Sequence, residues 1–493
     1  DEGFIFNASH ALGFFSTFNT DLISGVELYK GNIPAQFGGR LASVLDVQMR
    51  TGSFENWGIK GGVGPVSARF NFEGPIVKDK VALIGGFRSS YSDWILNQIK
   101  VREVQNSSAF FYDANLRVTT RLNDKNSLTL SGYATSDEFI YNNEFGFEYA
   151  TMMGQLDFKT IFNEKTYNRF TVTASSYESA QIDLDSLDAS RLDTEVSYIK
   201  AKEVLTYSTE NGLKVDGGLM GIYYMSQPGT IQPNTLESTV VARGLEDEQA
   251  FEGAAFANVE WPVTSQFLIS AGLRFNYYSF LGPKTVYQYG PDGPDPENLI
   301  DSIRFQSGES IASYNTLEPR VSMRYRLNEN ASIKAGYART SQFINQIFNS
   351  DSPTPTSQFQ LSTNYLPPFL SHNFSIGYFQ NFKKNNWETS IETYGRVIDQ
   401  LYDYKDFAQL VVNPQLETEI LLGEGRAYGV ELSIKKKKGL FNGWLSYTLS
   451  RTERMVEGIN NGEWYPSNFD KPHDLSFILN YSPNNRHTIT MKW

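Results

Sequence analysis

Apolar and polar residues alternate along most of the chain in stretches of roughly ten residues. In the stretch SLTLSGYA (127–134), Leu128 and Leu130 share one face, whereas Thr129 and Tyr133 lie on the other. Successive side chains of a β-strand point to opposite faces, so this alternation predicts strands with one apolar and one polar face. The same alternation occurs in RFTVTAS (169–175), GWLSYTLS (443–450) and HDLSFILNY (473–481).

The connections between these stretches are of two kinds, short polar turns and long irregular segments rich in Asp, Asn, Ser, Gly and Pro. The two kinds alternate along the chain, so that all short turns fall at one end of the strands. Short turns at one end and long loops at the other are typical of an outer-membrane barrel. The short turns lie at 74–80, 121–127, 162–166, 208–212, 326–332, 382–386 and 482–486.

The pattern predicts an all-β fold, a transmembrane antiparallel β-barrel whose wall begins near Trp57. We expect about 18 or 19 strands between this residue and the end of the chain. The alternative is a soluble antiparallel sheet that is packed on one face. A soluble sandwich rarely repeats the alternation of short turns and long loops, and a barrel removes the exposed edges of so many strands.

Composition narrows the possible functions. Aromatic residues make up 14% of the 493 residues, and no run of about 18 apolar residues offers a transmembrane helix. The net charge of −12 argues against a nucleic-acid partner, because phosphate binding requires a basic face. The chain has no Cys, which removes disulfides, thiolate metal sites and Cys catalysis.

No motif indicates a cofactor, a metal or an enzyme. The four His residues are scattered without metal-ligand spacing, and no Ser, His and Asp set stands out. The Gly clusters at 61–65 and 290–295 lack a following helix, so we expect no phosphate site there. The acidic stretch 181–195 has oxygen ligands suited to Ca²⁺ but not the spacing of an EF-hand, so a solvated loop is the better interpretation.

Four segments, in this order, resemble successive parts of the TonB-dependent outer-membrane receptors common in Bacteroidetes. Residues 10–52, from HALGFF to VQMRTG, resemble the end of the plug domain of those receptors. Residues 318–342 (EPRVSMRYRL…), 425–454 (GRAYGVELSI…) and 461–483 (NGEWYPSNFD…) resemble barrel hairpins. The resemblance implies a plug domain inside a 22-stranded barrel in the outer membrane of a Gram-negative bacterium.

The resemblance also divides the chain into two parts. Residues 1–52 would be the C-terminal part of the plug domain, and residues 53–493 would be the transmembrane barrel. We expect most of the plug and any TonB box to precede Asp1. The stretch 487–493 follows a short turn and runs outward, so we expect about three further strands to follow it.

Residues 31–52 would then finish the plug and lead into the barrel. Gly31 opens this stretch, and Gly38 and Gly39 permit a sharp reversal of the chain because they have no side chain. Arg40 follows the reversal. We expect this turn to act as a plug latch, with Arg40 within salt-bridge reach of a lumen carboxylate or of barrel backbone. Without the resemblance, an ordinary hairpin with a solvated Arg would be the better interpretation.

The alternation places a set of charged residues on the polar, lumen-facing side of the strands. We expect some of them to hold the plug reversibly, because exposed ion pairs contribute only about 0–1 kcal/mol each. The alternative is that they merely solvate the lumen. The lumen charges are Arg69, Glu73, Arg88, Glu318, Arg320, Arg324 and Glu431.

The resemblance implies energy-coupled uptake of a large or scarce ligand, with the plug gating the barrel. The implied partners are TonB, outer-membrane lipid and an unknown extracellular ligand; a surface lipoprotein or another outer-membrane protein stays open. A structural barrel subunit without transport of its own is the alternative, and a surface adhesin or phage receptor is a third. The long loop 343–369 predicts ligand contacts at Phe343, Asn345 and Tyr365.

Overall fold

The computed structural model describes residues 3, 6–7, 9–10, 13–31, 33–347, 358–484 and 486–493. Strands make up 67% of the structure, which confirms the all-β prediction. The two α-helices, α1 (Asp93–Leu96) and α2 (Arg102–Gln105), have four residues each. In the described part of the chain, no helix has the length and apolar character needed to cross a membrane. Short 3-10 turns lie at Thr20–Leu22, Pro296–Asn298, Leu416–Thr418 and Asn460–Gly462.

The strands follow the alternating stretches of the sequence. They are, in chain order, β1 (Ser9–His10), β2 (Phe15–Ser16), β3 (Ile23–Tyr29), β4 (Val44–Met49), β5 (Gly58–Val63), β6 (Ser67–Val77), β7 (Val81–Ser90), β8 (Ser108–Arg121), β9 (Asn126–Tyr141), β10 (Phe145–Asn163), β11 (Thr166–Asp183), β12 (Ser190–Ser208), β13 (Lys214–Pro233), β14 (Arg243–Gly244), β15 (Glu248–Pro262), β16 (Phe267–Leu281), β17 (Lys284–Tyr289), β18 (Leu299–Phe305), β19 (Ser310–Asn328), β20 (Ala331–Gln342), β21 (Ile344–Ile347), β22 (Gln358–Leu361), β23 (Phe369–Phe382), β24 (Trp387–Tyr404), β25 (Ile420–Lys436), β26 (Phe441–Val456), β27 (Tyr465–Pro466), β28 (His473–Asn484) and β29 (His487–Lys492).

One large antiparallel sheet forms the wall of a barrel. It runs from β5 to β29 in the order of the chain, and the hairpins β17–β18 and β21–β22 stand outside it as separate two-stranded sheets. No register pairs β5 with β29 in the described residues, so the sheet is not closed. The expected total of 22 strands therefore stays a prediction, as does the division of the chain at residue 52.

The two faces of the wall differ as the alternation predicts. In β16, Arg274 and Asn276 are 0% and 1% exposed, whereas Leu273 and Phe275 on the opposite face are 48% and 46% exposed. The polar side chains therefore face the inside of the barrel and the apolar ones face outward. The apolar outer face suits contact with lipid, and the polar inner face suits hydrogen bonds and ion pairs inside the barrel.

The described residues among 1–52, called here the N-terminal segment, lie outside the sheet of the wall. Its strands pair only with each other, β1 with β2 and β3 with β4. Asn19 accepts a hydrogen bond from the Asp21 N–H at the start of the 3-10 turn that precedes β3. The polar inner side chains of strands from β6 to β25 contact this segment, which places it inside the barrel.

Candidate functional site

Arg320 connects the wall to the N-terminal segment near the middle of β19. Its guanidinium donates hydrogen bonds from Nη1 to the Ile33 carbonyl at 3.2 Å and the Pro34 carbonyl at 2.6 Å. Nη2 bonds to Glu318 Oε2 at 2.6 Å, and both side chains are buried. The other oxygen of Glu318 accepts from the Ser341 N–H at 2.8 Å. The buried charge of Arg320 is thus paired while it holds two backbone carbonyls of the segment.

Arg274 lies beside this pair and is the largest side chain with no exposure. It donates from Nε to Asn276 at 2.6 Å and from Nη1 to the Ala35 carbonyl at 3.4 Å, and Nη2 lies 3.8 Å from Glu252 Oε1. A Cβ on Gly38 would lie only 2.7 Å from Nη2 of Arg274. The backbone therefore approaches this guanidinium closely only because residue 38 is Gly.

Asp21 forms a second contact, on the first strands of the wall. Its carboxylate pairs with Lys60 and with Arg69 Nε at 2.9 Å, and it accepts from Asn71 at 3.0 Å. The hydrogen bond from Lys60, together with the charge of Arg69, lowers the pKa of Asp21 below its ordinary value of 3.8, against the opposing effect of burial. Arg50, which directly follows β4, donates two hydrogen bonds to the Glu73 carboxylate, at 2.7 and 2.9 Å.

Arg88 holds the start of the segment. Its Nη2 donates to the Ser16 and Thr17 carbonyls at 2.9 and 3.2 Å, and its Nε pairs with Asp113 at 2.7 Å. His10 lies next to it, with Nδ1 2.7 Å from Asp137 Oδ2. The segment is therefore bonded to strands from β7 to β9 as well as to β19, on distant parts of the wall.

The predicted lumen charges all lie on the inner face, and most of them contact the N-terminal segment. Arg69, Glu73, Arg88 and Arg320 bond to it as described, and Glu431 pairs with Lys30. Glu318 does not bond to the segment in the described contacts but pairs with Arg320, which does. Arg324 is exposed and lines a cavity next to Lys30 and Gly31. The assignment of these residues as a functional set that holds a plug stays a prediction.

The predicted turn has the expected backbone conformation only at one of its two glycines. Gly39 has a φ of +73°, in the left-handed region, and Gly38 is required for the close approach to Arg274 instead. Arg40 donates to the carbonyl of Gly39 at 2.7 Å, and its charge also acts on Glu252 and Tyr224 of the wall. Gly31 packs against Ser375, where an added Cβ would lie 2.8 Å from the Ser375 Cβ.

The predicted ligand-facing loop is folded over the mouth of the barrel. Phe343 is buried and its ring stacks on Tyr278 with centroids 4.7 Å apart, and Asn345 is fully buried. Tyr365 is partly buried and donates to the Tyr287 carbonyl at 3.1 Å. Residues 348–357 of this loop lie outside the described residues. Ligand contact by the three side chains stays a prediction, and in this structure Phe343 and Asn345 are closed off from solvent.

A neighbouring loop contributes a partly buried carboxyl. Burial raises the pKa of the Glu417 carboxyl, which accepts a hydrogen bond from Tyr289 at 2.9 Å. Leu410 and Leu416 of the same loop pack with Leu366 and Tyr402 in an apolar cluster. The loops that follow β16, β20 and β24 are thus packed together above the N-terminal segment.

Several contacts of the segment come from residues that the sequence did not single out. Arg117 donates to the Met49 carbonyl at 3.0 Å, Arg396 to the Ala42 carbonyl at 3.1 Å and Thr340 to the Leu41 carbonyl at 3.3 Å. All three lie on the polar face of an alternating stretch, so the same alternation that marked Arg320 could have marked them. Side chains of the wall that bond to backbone carbonyls hold the segment without requiring particular side chains in it.

The solved structures with similar folds resemble this chain in fold but have low sequence identity to it. The ferripyoverdine receptor of the outer membrane of Pseudomonas aeruginosa is 12% identical, with a TM-score of 0.69 over 99% of this chain and 67% of that chain. The alcaligin outer membrane receptor FauA of Bordetella pertussis is 14% identical, with a TM-score of 0.64 over 97% and 74%. The copper transporter OprC is 10% identical, with a TM-score of 0.70 over 97% and 76%. At these identities the similarity shows the fold alone.

Sequence comparison assigns the family. No curated protein sequence matches the chain. Residues 18–493 match the family described as TonB dependent receptor-like, beta-barrel. This match covers nearly the whole chain, and the chain therefore belongs to that family.

Proposed function

We propose that the chain takes up a large or scarce extracellular ligand with energy delivered through TonB, and that its N-terminal segment is the end of a plug that gates the barrel. Receptors of this family are proteins of the Gram-negative outer membrane that bind extracellular ligands and interact with TonB, and they are not enzymes. The Bacteroidetes type is part of this proposal and is supported by the resemblance of the four sequence segments.

The observation that carries the proposal is the polar character of the contacts between the N-terminal segment and the wall. Arg320, Arg396, Arg117 and Arg88 all donate to backbone carbonyls of the segment, and Lys30 and Arg50 form exposed ion pairs with the wall. Exposed ion pairs contribute only about 0–1 kcal/mol each, because water replaces the lost partner. Such contacts exchange with water one at a time, which suits a segment that is displaced by a pulling force.

The ligand is not identified by these contacts. The similar structures named above are receptors or transporters for alcaligin, ferripyoverdine and copper, which are three different ligands. We propose that the loop around Phe343, Asn345 and Tyr365 contributes to the outer ligand surface after it moves away from Tyr278. Support comes from its place at the mouth of the barrel and from its aromatic and amide side chains.

The experiment that tests the proposal is a reversible lock between the segment and the wall in the full-length receptor. The chain has no Cys, so Gly31→Cys with Ser375→Cys introduces one disulfide. The two Cβ atoms would lie 2.8 Å apart, and a shift of about 1 Å brings them to the 3.5–4.5 Å of a disulfide. Uptake is measured by mass spectrometry of the spent medium. A compound counts as taken up by the receptor if cells with the receptor remove it from the medium and cells without the receptor do not.

We expect receptor-dependent uptake to stop in the oxidised double variant, to return on reduction and to stop when the proton gradient is collapsed. Ser375→Cys with Tyr394→Cys is the matched control, since these residues oppose each other on β23 and β24 and the bond stays within the wall. Uptake in the control should continue. The proposal would be contradicted if uptake persists in the oxidised Gly31→Cys/Ser375→Cys receptor. It would also be contradicted if no strain shows receptor-dependent uptake of any compound.

A further inference from the structure

Six lysines, called here the lysine rim, lie on two neighbouring short turns of the wall. They are Lys383 and Lys384 between β23 and β24, and Lys435–Lys438 at the end of β25 and in the turn that follows it. The two turns are in contact, because the N–H groups of Lys437 and Lys438 donate to the carbonyl and side-chain oxygens of Asn386, both at 2.9 Å. The six lysines therefore belong to one patch at the end of the barrel that has the short turns.

The lysine rim has more positive charge than the carboxylates around it balance. Among the described residues, Glu388 pairs with Lys437, and no ion pair joins a carboxylate to the other five lysines. The flanking turns add no net negative charge, since the β19–β20 turn has Arg326 and Glu329 and the β28–β29 turn has Arg486. An anionic partner would neutralise the excess charge of the lysine rim.

The backbone of the β23–β24 turn does not favour lysine. Lys383, Lys384 and Asn385 have φ values of 49°, 56° and 61°, all in the left-handed region. Gly adopts this region without strain and Asn adopts it more readily than Lys does. The turn itself therefore does not call for Lys at positions 383 and 384, whereas contact with an anion does.

Aromatic side chains mark the level of the membrane surface at this end of the barrel. Outer-membrane barrels have girdles of aromatic residues where the wall meets the two surfaces of the bilayer. The exposed aromatic residues on the outer face beside the short turns include Tyr207, Trp261, Tyr325, Phe382, Phe441 and Tyr481. Phe382 directly precedes Lys383, and Phe441 follows Lys438 by three residues, so the lysine rim lies at the level of the lipid headgroups.

Lys436 places part of the lysine rim on the lipid side of the wall. It follows Leu432 and Ile434 on the outer face of β25, and these two apolar side chains are 40% and 45% exposed. Its Nζ lies 5.6 Å from the centre of the Trp387 ring, and Trp387 is its register partner on β24. A lysine on the outer face is tolerated where its ammonium reaches the headgroups. A lipid headgroup can reach this ammonium from the bilayer, which favours lipid over a soluble partner.

We propose that the lysine rim binds phospholipids with a net negative headgroup, in the leaflet that meets the short turns. The ammonium groups of the lysine rim contact the headgroup phosphate, and Trp387 and Phe441 contact the glycerol and the upper acyl chain. Each basic residue near an anionic lipid surface adds to the attraction. This inference goes beyond the proposed function and does not depend on gating by the N-terminal segment.

The test is native mass spectrometry of the full-length receptor released from nanodiscs that contain equal amounts of phosphatidylglycerol and phosphatidylcholine. The masses count the lipids of each kind that the receptor retains. The rim variant is Lys383→Gln, Lys384→Gln, Lys436→Gln and Lys438→Gln together. The matched control is Lys78→Gln, Lys80→Gln, Lys125→Gln and Lys165→Gln, which removes four exposed lysines from other short turns and changes the net charge equally. Far-UV circular dichroism of both variants checks the fold.

We expect the unmodified receptor to retain phosphatidylglycerol over phosphatidylcholine by at least about threefold, because each lysine adds to the attraction of the anionic headgroup. The rim variant should retain the two lipids about equally, whereas the control variant should keep the preference of the unmodified receptor. High salt during the incubation should weaken the preference by screening the charges. Equal retention of the two lipids by the unmodified receptor, or an equal loss of preference in the two variants, would overturn the inference.

Two soluble anions separate a lipid from other partners of the lysine rim. Excess glycerol 3-phosphate should leave the retention of phosphatidylglycerol unchanged, because it has no acyl chain to rest against the outer aromatic side chains. Displacement of the lipid by glycerol 3-phosphate would mean a site for free phosphate and would overturn the inference. Polyglutamate represents an acidic protein. If it binds in a manner that depends on the lysine rim while phosphatidylglycerol shows no preference, the partner is an acidic protein and the inference is wrong.

Discussion

Strand β12 of the wall and strand β3 of the N-terminal segment are held in different ways. β12 pairs along its length with β11 on one side and β13 on the other, so that nearly all of its backbone groups are bonded within the sheet. β3 pairs only with β4. The hairpin β3–β4 is bound to the wall by side chains instead, among them Lys30 to Glu431 and Arg117 to the Met49 carbonyl.

The difference supports the proposal that the wall is a permanent part of the protein and the N-terminal segment a displaceable one. Removing a strand from the wall would break two ladders of backbone bonds at once. Removing the segment breaks side-chain contacts, many of which are exposed and open to water. The exceptions are contacts of buried groups, among them Arg320 with Glu318, and we expect these contacts to decide how firmly the segment is held. Other buried groups in such contacts are Arg274, His10, Asp137, Arg117 and Thr340.

The largest effect is expected from Arg320→Met. The substitution leaves the Glu318 carboxylate buried without its cation and frees the Ile33 and Pro34 carbonyls. Breaking a buried pair in this way costs about 3–5 kcal/mol. Hydrogen exchange of residues 33–42 in the full-length receptor should accelerate accordingly, while exchange in β12 stays slow. Arg324→Met, on the same face of β19 but exposed, is the control and should change exchange little.

A smaller effect is expected where the segment approaches the wall most closely. Gly38→Ala would place a Cβ against the buried Arg274 guanidinium, which overpacks the contact at about 1–3 kcal/mol. Gly39→Ala meets no atom within 4 Å and is strained only by its φ of +73°, at about 1–2 kcal/mol. Limited proteolysis of the segment during heating should show the larger shift for Gly38→Ala. Equal shifts would mean that the contact with Arg274 does not hold the turn.

An exposed ion pair should matter less and should depend on salt. Glu73→Gln removes the negative charge and one of the two oxygens that accept hydrogen bonds from Arg50. We expect a loss of about 0–1 kcal/mol in the binding of the segment, which disappears as salt screens the pair. Proteolysis of the segment at low and high salt measures it. Glu388→Gln, whose pair with Lys437 stays within the wall, should leave the segment unchanged at both salt concentrations.

The smallest effect is expected from pH. The pKa of Asp21 is lowered in the folded protein, chiefly by its hydrogen bond with Lys60, so its contribution to stability is present above the ordinary value of 3.8. This contribution is lost as the pH falls below 3.8 and through the lowered pKa. Exchange of residues 20–23 should therefore rise on acidification over that range. In Asp21→Asn this rise should be missing; if it persists, other carboxylates cause it.

Much of the wall could be predicted from the sequence, because the period of two in each stretch sets which side chains face inward. Glu318, Arg320 and Arg324 lie on the inner face for this reason. Arg274 follows the same rule, but it is the only charged residue in LRFNYYSF. The alternation alone therefore does not mark it as part of a charged inner face. Its role depends on Gly38, which lies far away in sequence.

The sequence could not predict which residue of the N-terminal segment contacts which residue of the wall. Asp21 meets Lys60 and Arg69 because the register of β5 and β6 brings them together, and that register is fixed by the whole sheet. Arg40 was expected to reach a lumen carboxylate directly. Its guanidinium donates to the carbonyl of Gly39 and its charge acts on Glu252 of the wall, and the expected contact with a lumen carboxylate or with barrel backbone stays a prediction.

The central claim, that the N-terminal segment is displaceable while the wall is permanent, is tested most directly by pulling. The full-length receptor in a lipid bilayer is extended from its N-terminus by single-molecule force spectroscopy. The account predicts that residues up to Gly52 leave first, at a force well below that needed for the wall, and that the wall then unfolds in later, separate steps. Release of the segment at the same force as the wall, or in the same step, would contradict the claim.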